Sequence, residues 1–264
     1  VVDSIAIDSL TVPLPRIDAI IPVLDEERTL PSVIASLPRP PVRRIVVADN
    51  GSRDRSAALA KTAGAEVVRE PRRGYGGACL RGLAHLAADP PDIVVFLDAD
   101  GSDDPADLPR LLAPLLEGRA DLVIGSRLLG RREPGALTLA QRLGGWVAGW
   151  CLGALFGRRF TDLGPFRAAR YARLMALGMR DPTWGWTVEM QARAARAGWE
   201  ILEVPVSYRC RQAGRSKISG SPLGALRAAG KIVWTLARLA WNAEQEHGSD
   251  PEAIPLAGRG PSRP

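Results

Sequence analysis

The stretch Phe96 to Pro105, FLDADGSDDP, places four carboxylates, Asp98, Asp100, Asp103 and Asp104, within seven residues, just after the apolar run Ile93-Val94-Val95. In Asp98-Ala99-Asp100 the two carboxylates project to the same side of an extended chain. Both can therefore reach one Mg2+ or Mn2+ and a diphosphate that the ion bridges. Asp103, or the Ser102 hydroxyl, could complete that shell, whereas Asp104 before Pro105 suits the cap of a following helix. The competing reading is a solvated acidic turn. Other chemistries have little to work with. His85 and His247 are the two histidines, and Cys79, Cys151 and Cys210 show no CxxC spacing, so neither a zinc site nor a His-based triad is expected. The cysteines read as buried or inert thiols of a reducing cytoplasm.

The position of the acidic stretch follows from the elements around it. Strands are expected at Ile17 to Ile21, Arg44 to Ala48, Glu66 to Arg69, Ile93 to Leu97 and Leu122 to Gly125. Helices are expected between them near Glu27 to Leu37, Asp54 to Ala63, Gly77 to Ala87 and Pro105 to Leu116. Val/Ile runs alternating with helices predict an α/β fold, a mostly parallel sheet covered on both faces. Ligands of such sheets bind outside the carboxyl ends of the strands. Three carboxylate-bearing segments fall there: Pro22 to Glu27, Asp49 to Asp54 and the stretch from Asp98.

The 264 residues are 46% hydrophobic and 24% charged, the composition of a globular chain able to bury one substantial core. The net charge of +6 comes almost wholly from arginine, since Lys61, Lys217 and Lys231 are the only lysines. That balance suits an anionic partner bearing phosphate, or membrane headgroups, and equally a GC-rich genome. No nucleic-acid partner is expected. The segment Leu137 to Phe156 is apolar, with Trp146 and Trp150, but its uncharged window of 15 residues from Leu143 is shorter than the ~20 needed to cross a bilayer. It reads either as a core helix or as an interfacial one held by Trp and Arg. Leu223 to Trp241 is a second amphipathic stretch with the same two readings. The first ten residues lack the basic and apolar regions of a signal peptide, and the Gly/Pro-rich end reads as a disordered tail.

Taken together, IPVLDEE (21–27), VVADNGSRDRS (46–56), RRGYGGA (72–78), FLDADGSDDP, VIGSR (123–127) and EVPVSYRCRQAGRSK (203–217) resemble the family 2 glycosyltransferases of the GT-A fold. The branch they most resemble is the polyprenyl- or dolichyl-phosphate sugar synthases. The resemblance runs from about Arg16 to Ser219. It implies a catalytic domain over 16–220, with a nucleotide half (16–127) and an acceptor half (128–220), preceded by an arm (1–15) and followed by an amphipathic helix (221–242) and a tail (243–264).

The resemblance also implies roles. Pro22 and Glu26 would border the nucleotide, with Asp25 standing where Asn is usual, and Asp49 would contact base or ribose. Gly74 and Gly76 would let backbone approach the nucleotide; no GK[ST] follows, so this is not a P-loop. Asp98, Ala99 and Asp100 match the metal-binding DxD, with Asp103 as a further ligand to Mg2+ or Mn2+. Arg127 would meet a phosphate, and Arg211, Ser216 and Lys217 belong to a loop closing over the diphosphate or the acceptor phosphate. Asp162 would face sugar or acceptor, and Glu189 would point at the site unless it serves only its own helix start. The reaction implied is an inverting transfer of a hexose from a UDP- or GDP-sugar to polyprenyl phosphate, by a peripheral protein at the cytoplasmic face of the inner membrane. Two alternatives stand beside it: an acceptor hydroxyl deprotonated by Asp162, and a non-catalytic nucleotide-sugar-binding protein.

Overall fold

The computed structural model describes residues 14–213, 230–231 and 233–239. The five runs read as strands form β1 (Ile17–Val23), β2 (Val42–Asp49), β3 (Glu66–Arg69), β4 (Ile93–Phe96) and β5 (Leu122–Ser126). Two more, β6 (Arg167–Arg170) and β7 (Ile201–Pro205), complete a seven-stranded sheet of order β3-β2-β1-β4-β6-β5-β7. β6 runs antiparallel to both β4 and β5, and the other pairings are parallel. The residues before and after Arg127 thus share one sheet: a strand from the second half sits between two strands of the first.

Alternation along β1 shows how the two faces are filled. Ile17, Ala19 and Ile21 face one way, toward Val33 and Ile34 of α1 (Leu30–Ser36), Ala60 of α2 (Ser56–Thr62) and Leu111, Leu112 and Leu115 of α4 (Leu108–Leu116). Ile20 faces the other way, into a core with Cys79 and Leu83 of α3 (Tyr75–Leu86) and Trp186 and Met190 of α7 (Trp186–Arg196). Trp186 is fully buried and meets Phe96 edge-on, with ring centroids 4.9 Å apart. Such aromatic pairs add about 1 kcal/mol beyond their buried area.

The amino ends of the strands carry a separate charge cluster. Asp18 is buried and accepts hydrogen bonds from Arg43 and Arg44, both of which also reach Asp89. Burial pushes the Asp18 carboxyl up, but the two arginines outweigh it and hold the group below its ordinary value. This cluster fastens β1 to β2 at the end of the sheet opposite the carboxyl ends.

Two helices bear on the expected membrane segments. The first, α5 (Leu139–Phe156), starts with a reciprocal capping box between Thr138 and Gln141 and stops at Gly157 in the left-handed conformation. It buries Ala148 and Leu152 yet exposes Leu139, Leu143, Trp146, Trp150 and Leu155, so it is neither a core helix nor a solvated one. Residues 230–231 and 233–239 are helical, burying Leu236 and Leu239 and exposing Val233 and Trp234. Between α5 and α7 lies the short α6 (Tyr171–Ala176). Among the described residues no helix is long and apolar enough to cross a membrane. The amino-terminal arm to residue 13 and the tail from 243 lie outside the described residues.

Candidate active site

The loops after β1, β2, β4 and β5 converge at the carboxyl end of the sheet. In the β1 loop Asp25 takes φ 53°, the left-handed region that Asn and Asp tolerate better than other side chains. This accounts for an Asp where Asn is usual, since either side chain suits the turn. Asp25 Oδ1 accepts from Arg53 N at 2.7 Å and Asp25 N donates to Ser52 Oγ at 3.0 Å, so the residue joins the β1 and β2 loops. Pro22 lies opposite Ala48 within the β1–β2 ladder, one residue before that loop begins at the end of β1. Asp49, at the end of β2, is buried and accepts from Ser52 N at 3.1 Å.

Behind β4, Thr29 Oγ1 donates to the carbonyl of Ala99 at 2.7 Å and pins the backbone between the two DxD carboxylates. Asp100 Oδ1 accepts from Ser102 N and Oγ at 2.9 and 2.5 Å. Its Oδ2 pairs with Arg211 at 2.8 Å, and Arg211 reaches Glu26 at 2.6 Å with its other nitrogen. Arg211 thus bridges the β1 and β4 loops. Asp103 turns inward: Oδ2 accepts from Asp98 N at 3.0 Å, while Oδ1 is buried and has no hydrogen-bond partner among the described residues. Asp104 caps the following 3-10 turn at Ala106 N and pairs with Arg209, the structural part its position suggests.

Crowding has an electrostatic consequence. Burial, and then the charges of Asp100 and Asp103, push the Asp98 carboxyl well above the usual carboxylate range. Burial likewise pushes Asp103 up to about 7 against the opposing hydrogen bond from Asp98 N. A divalent cation relieves this kind of repulsion, and the orphaned Asp103 oxygen is the kind of group that an ion or its water satisfies. The donor set is carboxylate oxygen, which suits Mg2+ or Mn2+. Among the described residues, however, no three acidic, His or Cys side chains converge into a ready metal cage. The expected trio of Asp98, Asp100 and Asp103 is therefore not assembled. The arrangement fits an ion held by one or two carboxylates and completed by substrate phosphates.

Arg127 and Asp162 form the second half of the site. Arg127 Nε and Nη2 donate to Asp162 Oδ2 and Oδ1 at 2.7 and 2.8 Å, a two-pronged pair reinforced by Arg127 N to Oδ2 at 2.9 Å. The guanidinium lies 5.0 Å from the centre of the Tyr208 ring. Burial opposes both charges, but each stabilises the other, so Arg127 is raised and Asp162 lowered from their ordinary values. A carboxylate so committed is a weak base. The geometry makes Asp162 the holder of Arg127 rather than the proton acceptor expected for a hydroxyl acceptor.

Two expectations change outright. Gly74 and Gly76 do permit a close approach, but to the chain's own backbone. A Cβ at Gly74 would strike the carbonyl of Pro182, and one at Gly76 the carbonyl of Asp181. Gly76 N and Gly77 N instead donate to Thr183 O and Pro182 O at 3.1 and 2.8 Å, and Gly74 N donates to Asn50 Oδ1 at 2.7 Å. These glycines let the loop before α7 seat on the start of α3. Gly76→Ala should lower unfolding free energy by about 2 kcal/mol, whereas Gly77→Ala, whose Cβ would meet only ordinary contacts, should leave it nearly unchanged. Urea unfolding of the two variants measures both.

Glu189 is the second. It is fully buried and accepts from Arg180 N and Asp181 N at 3.0 and 2.7 Å and from Arg193 Nε at 2.8 Å. It holds the loop 180–181 and does not point at the site. Ser216 and Lys217 lie outside the described residues. Asn50 and Thr161, expected only as parts of a turn and of the acceptor-side stretch, also take part, as do three residues not singled out by type or spacing: Thr29, Glu203 and Tyr208. The last two fall within EVPVSYR and were there to be found.

Comparison with known proteins agrees with this architecture. The family model described as glycosyl transferase family 2 matches residues 18–184. An uncharacterized glycosyltransferase of Mycobacterium tuberculosis is 43% identical over 214 residues, 80% of this chain and 94% of that protein. The undecaprenyl-phosphate mannosyltransferase of Micrococcus luteus is 33% identical over 224 residues, 79% of this chain and 90% of that one. Among solved structures, glucosyl-3-phosphoglycerate synthase from Mycobacterium tuberculosis, in complex with Mn2+, UDP-glucose and phosphoglyceric acid, superposes with a TM-score of 0.66 at 27% identity, covering 86% of this chain and 80% of that one. The sheet order, the acidic loop after β4 and these matches lead to one conclusion: the chain is a glycosyltransferase with the GT-A fold and belongs to glycosyltransferase family 2.

Proposed function

We propose that the protein transfers a hexose from a UDP- or GDP-sugar to polyprenyl phosphate, working peripherally at the cytoplasmic face of the membrane. The observation that carries this reading is the face of α5. Leu139, Leu143, Trp146 and Trp150 are 77%, 59%, 63% and 55% exposed, and Arg142 stands among them. The same helix packs through Gly149 and Gly153 on Phe160 and Arg159, and a Cβ placed on Gly145 would lie 4.0 Å from Asp162 Oδ1. The helix that carries the apolar, Trp-bearing surface thus also borders the Arg127–Asp162 pair. Tryptophan and arginine favour the headgroup level of a bilayer, where a lipid carries its phosphate. The Micrococcus luteus relative, named for an undecaprenyl-phosphate acceptor, supports the same reading.

The chemistry follows from the residues. Asp98 and Asp100 would hold the divalent ion, which when bound neutralises diphosphate charge in the leaving group. Arg211, between Glu26 and Asp100, adds a cation on the leaving-group side. Arg127, raised and aimed by Asp162, meets the acceptor phosphate. A phosphate monoester is already anionic at neutral pH, so the site needs no strong base, in keeping with the engaged state of Asp162. A soluble phosphorylated acceptor is the second reading, favoured by the phosphoglyceric acid bound to the structural neighbour.

The test uses labelled UDP- and GDP-sugars with Mn2+ and either a defined polyprenyl phosphate or 3-phosphoglycerate. Label entering the organic phase is expected; label remaining wholly water-soluble with every donor overturns the lipid reading. The double variant Trp146→Ser, Trp150→Ser should reduce retention on anionic liposomes by about tenfold or more and leave nucleotide binding intact. Equal retention would remove α5 from the membrane contact.

A further inference from the structure

We propose that Glu203, on β7, is a positioning residue: it fixes the Thr161–Asp162 turn, and through that turn the aim of Arg127. Its carboxylate is given over to this one turn. Oε1 accepts from Thr161 N at 3.0 Å, Thr161 Oγ1 at 2.8 Å and Asp162 N at 3.1 Å, and Oε2 accepts from Thr161 N at 2.9 Å. No Lys or Arg pairs with Glu203 among the described residues, so the charge is spent on neutral donors, where an ionised acceptor makes the stronger bond. Glu203 is paired with Ile124 in the β5–β7 ladder, three residues before Arg127.

The turn is held from its other sides as well. Ser126 Oγ lies 2.7 Å from Thr161 Oγ1, and Gln191 Nε2 donates to Asp162 O at 3.1 Å. Asp162 therefore has its N–H fixed by Glu203 and its carbonyl by Gln191, leaving its carboxylate free to engage Arg127. The same turn carries the chain back from α5 to β6, with Gly149 packed on Phe160 O. Glu203 thus fixes the turn between the end of α5 and the Arg127–Asp162 pair. A solvated strand-end glutamate would show none of these bonds.

The functional half of this assignment rests on the reading of Arg127 as the acceptor-phosphate contact; the structural half does not. Amide hydrogen exchange in the full chain separates them. Glu203→Ala should speed exchange at Thr161 and Asp162 and also at Arg127, whose N–H is bonded to Asp162 rather than to Glu203, each by about tenfold or more. Its kcat/KM for polyprenyl phosphate should fall about tenfold, while the Kd for UDP or GDP with Mn2+ stays within about twofold. Glu203→Gln, which keeps one acceptor oxygen, should recover most of the loss. If Glu203→Ala folds poorly, Thr161→Val gives the same trends more weakly. Unchanged exchange at Arg127, or a nucleotide Kd that weakens in step with turnover, overturns the proposal. If the wild-type chain does not use polyprenyl phosphate, the acceptor reading fails and the exchange at Arg127 alone decides the role of Glu203.

Discussion

Asp100→Asn should abolish metal-dependent binding of the nucleotide and lower turnover by at least about a thousandfold. The substitution is nearly isosteric, and its amide oxygen can still accept from Ser102 N and Oγ, the bonds that shape the loop after β4. What it removes is the charge, and with it both the affinity for a hard cation and the ion pair with Arg211. Arg211 keeps Glu26 as a partner, so the strap across the β1 and β4 loops should persist. Calorimetry with UDP and GDP separates the effects. Wild type and variant should bind nucleotide alike without Mn2+ and diverge when it is added. Equal affinity with Mn2+ present would remove Asp100 from the metal site.

The strands that build this site were legible because their Val and Ile runs are buried on both faces by their own hydrophobicity. β6 was not. Arg167-Ala168-Ala169-Arg170 has no strand signature, and it is extended because β4 and β5 accept it between them. Arg167 is moreover a fully buried guanidinium satisfied by the carbonyls of Leu163, Gly164 and Thr187, a state no local pattern announces. The carboxylates show the same division. Spacing marked Asp98 and Asp100, but spacing alone could not show that Asp103 turns inward to Asp98 N while Asp104 caps a turn. Glu189 sits at a helix start like many functional acids, and only the fold reveals that Arg180, Asp181 and Arg193 consume it. The glycines misled in a related way: a missing Cβ signals close approach, yet not of what, and here the neighbour is the chain's own 181–183 backbone.

Asp162→Asn should separate the two roles open to that residue. Asp162 and Arg127 are both largely buried, with side-chain exposures of 4% and 14%. Removing one charge leaves the other uncompensated, which costs about 3 to 5 kcal/mol in comparable pairs. Turnover should fall about a hundredfold or more as the fork on Arg127 is lost. The pH dependence follows from the charges of the pair. Burial raises the Asp162 carboxyl, but Arg127 more than offsets it, so the folded value lies below the ordinary one. Its contribution is complete above the unfolded value and is lost only as pH falls through the depressed one. Between about pH 6 and about pH 8 the titration of Asp162 itself should therefore add no slope to the activity. A general base would be ionised across the same range and give no slope either, so the acceptor must decide. With a phosphate acceptor the variant should retain measurable turnover, and a more acidic acceptor should not rescue it, because the loss lies in aiming Arg127. Rescue that grows with acceptor acidity would instead identify Asp162 as the group that takes a proton.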